Sequence, residues 1–444
     1  MFRIDAESAD WTDHYLSLSA YAGKSVNIAF VNDSEDCNML LLRSITVGAP
    51  EKLKVSFAGA RAIAEAGEEV PLKFKVTTDL TSSQNLMRAG CNVGGRDYTV
   101  TAPGLLEPGQ EVVFEFPATV RVEKDVLTPV TVWVESDKAR TEKSVWIGNT
   151  DRKMVIEEAT GTWCGFCVSG IAVMERVKAS YPEQAICIAV HESDPMAIDG
   201  YSVAGSDNPR LTLNRESGKM HPLELEDVMV THLSDLPRVA VDGEWSLTDG
   251  LVNVKARILS GEKSESLYRM AFVLVENNVH VADDPEYNQK NYYSGGAEGP
   301  MDGFEDLPNP ILAPYMWYQD VARGIYPSQQ GVACSSGALL PVGEKTEVGY
   351  TFPLPANVLN VANLELFILA IDASSGAVMN GCKATSPVDL GVEESQIAVS
   401  DEVVSVEWYD ISGRRLTEPT AGLYVRLERY RDGRTHASKV MLNR

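Results

Sequence analysis

Trp163-Cys164-Gly165-Phe166-Cys167 joins an apolar run, Met154 to Ile156, to a segment with helical periodicity. Val168, Ile171, Met174, Val177 and Tyr181 recur at helical spacing until Pro182, which stops the helix. A second apolar run, Ala185 to Val190, reads as a strand. A strand–helix–strand unit of this length forms a right-handed parallel crossover, so His191 and Glu192 should emerge near the cysteines at one sheet edge. Two cysteines separated by two residues can close a small disulfide. When the first sits at a helix N-terminus, unpaired N–H groups and the macrodipole favour its thiolate. The thiolate is the species that attacks a disulfide, so the stretch predicts a dithiol that exchanges electrons with other disulfides.

From Lys153 to about Trp245 the sequence resembles thioredoxins: the strand, the Trp163–Cys167 turn, and Leu236-Pro237 ahead of the apolar run Val239 to Val241. The resemblance implies roles residue by residue. Cys164 would be the attacking thiolate, Cys167 would resolve the mixed disulfide, and Trp163 would shield the pair. Pro237 would be the cis-proline packed beside the disulfide. Glu158, six residues before Cys164, would be the buried acid that takes the proton from Cys167. Glutamate replaces the usual aspartate there. The wording Glu157-Glu158-Ala159-Thr160-Gly161-Thr162-Trp163-Cys164 is also similar to bacterial outer-membrane-associated thioredoxin-like proteins, although Val168 stands where those carry proline.

Period-2 runs flank this segment. In residues 1–50, Val26, Ile28 and Phe30, then Met39 to Leu42 and Ile45 to Val47, read as strands. The words around Trp11, Leu16 to Lys24 and Ile28 to Phe30 resemble the C-terminal half of cleaved-adhesin or choice-of-anchor jelly rolls, which implies a longer precursor. Residues 51–148 alternate as an immunoglobulin-like sandwich would: Leu53, Val55, Phe57; Leu72, Phe74, Val76; Val112, Phe114, Phe116; Val130, Val132, Val134. After a thioredoxin-like domain at 149–250, residues 251–390 read as a second β-sandwich. Its strands include Met270 to Val275, Val348 to Phe352 and Leu364 to Ile371, with a surface loop around 283–310. A linker at 391–402 leads to a small all-β unit. There Val406 to Arg415, Gly422 to Val425, Asp432-Gly433 and Lys439-Val440 resemble the C-terminal sorting domain of type IX secretion cargo, spanning 403–444. That resemblance implies the type IX secretion machinery as a partner. The expected destination is secreted, or attached to the outer face of the outer membrane. The expected fold is a multidomain β and α/β protein, with a thioredoxin-like α/β domain flanked by antiparallel β-sandwich domains.

The chain has 444 residues, with 39 Lys and Arg against 63 Asp and Glu, a formal charge of −24. That balance argues against nucleic acid or an anionic membrane as partner, and no run is long and apolar enough to span a bilayer. Seven cysteines leave at least one unpaired. Cys187 reads as a buried inert thiol, and Cys334 and Cys382 as a candidate bridge. Pro195 stands four residues after His191, where a zinc-protease helix would place its second histidine. No cofactor or metal is expected. Two readings follow: an exported thiol–disulfide oxidoreductase acting on extracellular protein or small-molecule disulfides, or a non-catalytic adhesion or ligand-binding protein whose cysteine pair is a structural bridge.

Overall fold

The computed structural model describes residues 53–386 except 80–81, 138–139, 204, 206, 217 and 336, together with parts of 16–31 and the strands within 403–442. Residues 25–31 carry no strand, so the one expected at Val26 to Phe30 is absent. The other readings on residues 1–50, and the linker at 391–402, lie outside the described residues. Two compact units are present, residues 1–387 and 388–444.

The first unit opens with β1 (Leu53–Phe57), β2 (Glu69–Thr78), β3 (Gln84–Val93), β4 (Arg96–Leu106), β5 (Glu111–Arg121), β6 (Leu127–Ser136) and β7 (Arg140–Gly148). They form two antiparallel sheets, ordered β1-β2-β5 and β4-β3-β6-β7. Alternation drives the arrangement. Leu72, Phe74 and Val76 point inward from one sheet, Val130, Val132 and Val134 from the other, and together they form one apolar core.

Next come β8 (Met154–Thr160), α1 (Val168–Ser180), β9 (Ala185–His191), β10 (Arg210–Leu213) and α2 (Leu225–Val230). They are followed by β11 (Val239–Thr248), β12 (Leu251–Ser260), β13 (Tyr268–Glu276), β14 (Val321–Tyr326), β15 (Val332–Ala333), β16 (Lys345–Pro353), β17 (Leu364–Asp372) and β18 (Val378–Lys383). β8 and β9 are parallel, joined by α1, with Glu158 opposite Ala189. β10 then runs antiparallel to β8, with Arg210 opposite Ala159.

Beyond β9 the structure departs from the expected fold class. A thioredoxin-like α/β domain flanked by β-sandwiches is not what forms. β14 pairs with β9 in parallel at Val321 and Ala189, so one eight-stranded sheet continues β10-β8-β9-β14-β13-β17-β18, with β15 paired to β13. The chain is mostly β, with two α-helices among the described residues. The physical reason lies in the central strands. Met270 to Val275 is buried at every position, and a strand apolar on both faces needs neighbours on both edges and cover on both sides. Local periodicity marks such a run as a strand and says nothing of its partners. One face packs Val155, Ile188, Val273 and Leu369. On the other, α1 and α2 cover Met154, Ile156 and Leu211, while the small sheet β11-β12-β16 stacks Tyr350 on Phe272.

The excursion between β13 and β14, expected as a surface loop, has a small core of its own, in which Tyr287, Ile311, Met316 and Tyr318 pack with Met196. The second unit is a four-stranded antiparallel sheet, β20-β19-β21-β22, made of β19 (Val403–Asp410), β20 (Arg415–Leu416), β21 (Gly422–Tyr430) and β22 (Thr435–Leu442).

Candidate functional site

Cys164 and Cys167 form a disulfide in the turn that hands β8 over to α1, with Cys167 as the helix N-cap residue. Cys167 is fully buried and Cys164 is 5 % exposed. Trp163 is half-exposed, folded back so that its Nε1 donates to the Glu192 carbonyl at 2.6 Å. The crossover thus brings Glu192 beside the turn, as the strand–helix–strand reading required.

Glu157 and Glu158 are both buried but face opposite sides of β8. Glu157 is neutralised: Arg215 donates to both its carboxylate oxygens and the Tyr201 hydroxyl donates at 2.6 Å. Glu158 faces α1, and neither of its oxygens has a well-formed hydrogen bond. It lies against Gly170, where a Cβ would overlap the carboxyl group. Gly170 is one helical turn past Cys167, whose carbonyl accepts the Gly170 N–H at 3.0 Å. Burial drives the Glu158 pKa well above the ordinary carboxylate range, and the Thr160 hydroxyl opposes this only in part. Beside it, a cavity with room for about one water is lined by Glu158, His191, Tyr318 and Asp320.

Pro237 is not at the pair. Its bond to Leu236 is trans, and it leads into β11, in a different sheet, lining a surface hollow with Arg152, Glu216 and Arg238. A different proline occupies the strand end that carries the cysteines. Pro209, on a cis bond to Asn208, directly precedes β10 and lies next in register to Thr160. β10 is only four residues, Arg210 to Leu213, with two of them polar, so it does not stand out as a strand and Pro209 has no local mark.

Three further features escaped the sequence reading. Asp194 accepts from His191 Nδ1 at 2.6 Å and from the backbone N–H groups of Thr162 and Met196. Burial raises its pKa, but the His191 contact and these donors outweigh it and leave the carboxyl below its ordinary range. Second, residues 289–292 run across the turn as a strap. Lys290 N–H donates to the Thr162 carbonyl at 2.8 Å and Tyr292 N–H to the Gly165 carbonyl at 2.9 Å. Third, the buried Gln289 donates through Nε2 to the Cys164 carbonyl at 3.0 Å. The only available signal was the excursion's density of Asn, Gln and Tyr.

The other cysteines among the described residues are silent. Cys91, Cys187, Cys334 and Cys382 are unbonded, so the bridge considered between Cys334 and Cys382 does not form. Burial pushes the Cys91, Cys334 and Cys382 thiols up to about 12 and raises Cys187 well above its ordinary value. Among the described residues no cluster of three or more His, Cys, Asp or Glu is arranged to hold a metal, and no helix is long and apolar enough to cross a membrane.

No family model matches this sequence, and no curated protein matches it. Among solved structures, HBP35 of Porphyromonas gingivalis aligns with 67% of this chain and 100% of its own, at 13% identity and a TM-score of 0.39. A protein of Agrobacterium tumefaciens aligns with 54% of this chain and 96% of its own, at 13% identity and a TM-score of 0.32. Both scores are low, and the chemistry of the site rests on its own residues: a disulfide at a helix head, and a buried acid without a counter-charge against the same helix.

Proposed function

We propose that this chain is an exported thiol–disulfide oxidoreductase that works through Cys164 and Cys167. The observation that carries the reading is the pairing of a helix-head disulfide with Glu158, a buried carboxyl that no cation pairs and that only the Thr160 hydroxyl favours in its charged form. A carboxyl that serves only structure is normally paired when buried. One whose pKa burial raises is suited to give and take a proton.

In the oxidising direction a client thiolate attacks Cys164 Sγ, forming a mixed disulfide and breaking the Cys164–Cys167 bond. Cys167 leaves as a thiolate, and Glu158 supplies its proton. A second client thiolate then displaces Cys164. The client leaves with a disulfide, and the two electrons remain on the protein as a dithiol. The reverse sequence reduces a client, with the Glu158 carboxylate accepting the Cys167 proton. The head of α1 stabilises the Cys164 thiolate in either direction.

Export is the second part of the proposal. It is supported by the resemblance of residues 403–444 to type IX sorting domains and by their folding as a separate antiparallel sheet. Partners would be extracellular thiol or disulfide proteins, or small disulfides, together with the secretion machinery. The alternative, a surface adhesion or ligand-binding protein with a structural bridge, draws on one observation, the low exposure of Cys164.

The reduction potential of the pair separates the two. A structural bridge would lie below about −300 mV, whereas an exchanging pair lies between roughly −270 and −120 mV. Under the exchange reading Cys164→Ala abolishes turnover of a disulfide reporter, and Cys167→Ala traps mixed disulfides with clients. A potential in the structural range, with no trapped species, would refute it.

A further inference from the structure

The Cys164–Cys167 turn lies within an aromatic collar. Trp163, Phe166 and Tyr292 are each 42–48 % exposed, whereas Cys164 between them is nearly covered. Two of the three are held in place. Trp163 is tied to the Glu192 carbonyl, and Tyr292 rides on the strap, whose backbone pairs with both Thr162 and Gly165. The Tyr292 ring lies against the face of Gly165, where a Cβ would overlap it. Phe166 meets the same ring edge-on, with centroids 5.1 Å apart. Beneath, two fully buried amides anchor the strap. Gln289 holds the Cys164 carbonyl, and Asn291 donates to the Phe304 carbonyl at 2.7 Å while accepting from Tyr293 N–H at 3.1 Å.

Thiol attack on a disulfide depends on access to the sulfur attacked. A sulfur recessed behind a rigid rim is reached by a thin, flexible group and not by a cysteine set in a folded surface. We propose that Tyr292 on this strap is the specificity-determining residue of the pair, restricting exchange to cysteines carried on extended, flexible peptide segments. The exposed faces of Trp163 and Phe166 supply apolar contact for the residues flanking such a cysteine, while Tyr292 sets the width of the opening. The inference rests on the exchange reading above, and adds to it the class of client.

The test follows reduction of the Cys164–Cys167 bond by three thiols: glutathione, a short unstructured peptide with one cysteine between leucines, and a small folded protein with one surface cysteine. In each case the first thiolate forms the mixed disulfide with Cys164 and releases Cys167. The second releases the oxidised donor and leaves the protein two electrons richer.

The wild type should discriminate between peptide and folded protein by at least about tenfold in rate. Tyr292→Ala should speed the folded-protein thiol at least about fivefold while changing the peptide rate less than about twofold. Tyr292→Phe should keep the discrimination. Gly165→Ala, whose methyl group would displace the ring, should act in the same direction as Tyr292→Ala, and the double variant should gain nothing further. Equal changes for both thiols, or none, would overturn the proposal and leave exchange standing. No exchange with any of the three thiols, in the wild type and in every variant, would overturn the exchange reading and this inference with it.

Discussion

The β1–β7 sandwich and the eight-stranded sheet are both well buried, yet their interiors differ in kind. The sandwich core is aliphatic and aromatic, with Phe74 edge-on to Phe57 and Phe116. Its ion pairs lie at the surface, as in the Arg88–Glu135–Arg140 cluster over Trp133. The mixed sheet buries Glu157, Glu158, His191, Arg210, Glu276, Asp320 and Arg323. Buried charge is costly unless paired. All but one of these have a counter-charge: Arg215 for Glu157, Asp194 for His191, Glu192 for Arg210, Lys178 for Asp320, and Glu276 with Arg323. Glu158 is the exception, and it lies against Gly170, one helical turn past Cys167. One region is a scaffold. The other keeps a titratable group where chemistry can use it.

The contrast predicts which substitutions hurt most. Glu276→Ala should be the most damaging, because it leaves Arg323 buried without its partner and strips the acceptor from the Leu359 and Asn360 N–H groups. A loss of about 3–5 kcal/mol is expected in chemical denaturation. Leu72→Ala, in the centre of the sandwich, should cost about 2–5 kcal/mol through its cavity alone. Its loss should not vary with pH.

Glu158→Gln should show the opposite signature. The native pKa lies above the unfolded one, so between those values the native state holds the extra proton. Wild-type stability is therefore full below the ordinary carboxylate pKa and falls as pH rises, by up to ~1.4 kcal/mol per pH unit. The variant lacks this slope, and parallel wild-type and variant profiles would remove the case for an unpaired acid. Asp194 has the reverse sign, its contribution being present above its unfolded pKa and lost on acidification. Glu135→Ala, at the exposed cluster, should leave the melting temperature unchanged within error.

Much of the site was legible because it is local. The cysteine spacing, the helix from Val168, and the strands at Met154 and Ala185 are written in contiguous residues and appear within a residue or two of expectation. The burial of Glu158 was an implication of the thioredoxin resemblance and not of the local pattern, where it stands beside a second glutamate. What could not be read was non-local. The pairing of β9 with β14 joins residues more than a hundred positions apart, and no periodicity encodes it. Pro237 matches the thioredoxin pattern by sequence order ahead of an apolar run, whereas Pro209 precedes a strand of only four residues. The strap was hidden for a similar reason. Gln289 and Asn291 look like loop residues, and their burial depends on carbonyls supplied from elsewhere in the chain.

The strap also sets an order of events. Gln289 grips the Cys164 carbonyl across 125 positions, and a chain made or threaded from its N-terminus presents the cysteines long before that grip exists. Until the later residues arrive, the sulfur pair is uncollared and β9 has a bare edge. A nascent chain halted near residue 250 would therefore react indiscriminately with passing thiols, and selectivity would be acquired only once the remainder had been delivered.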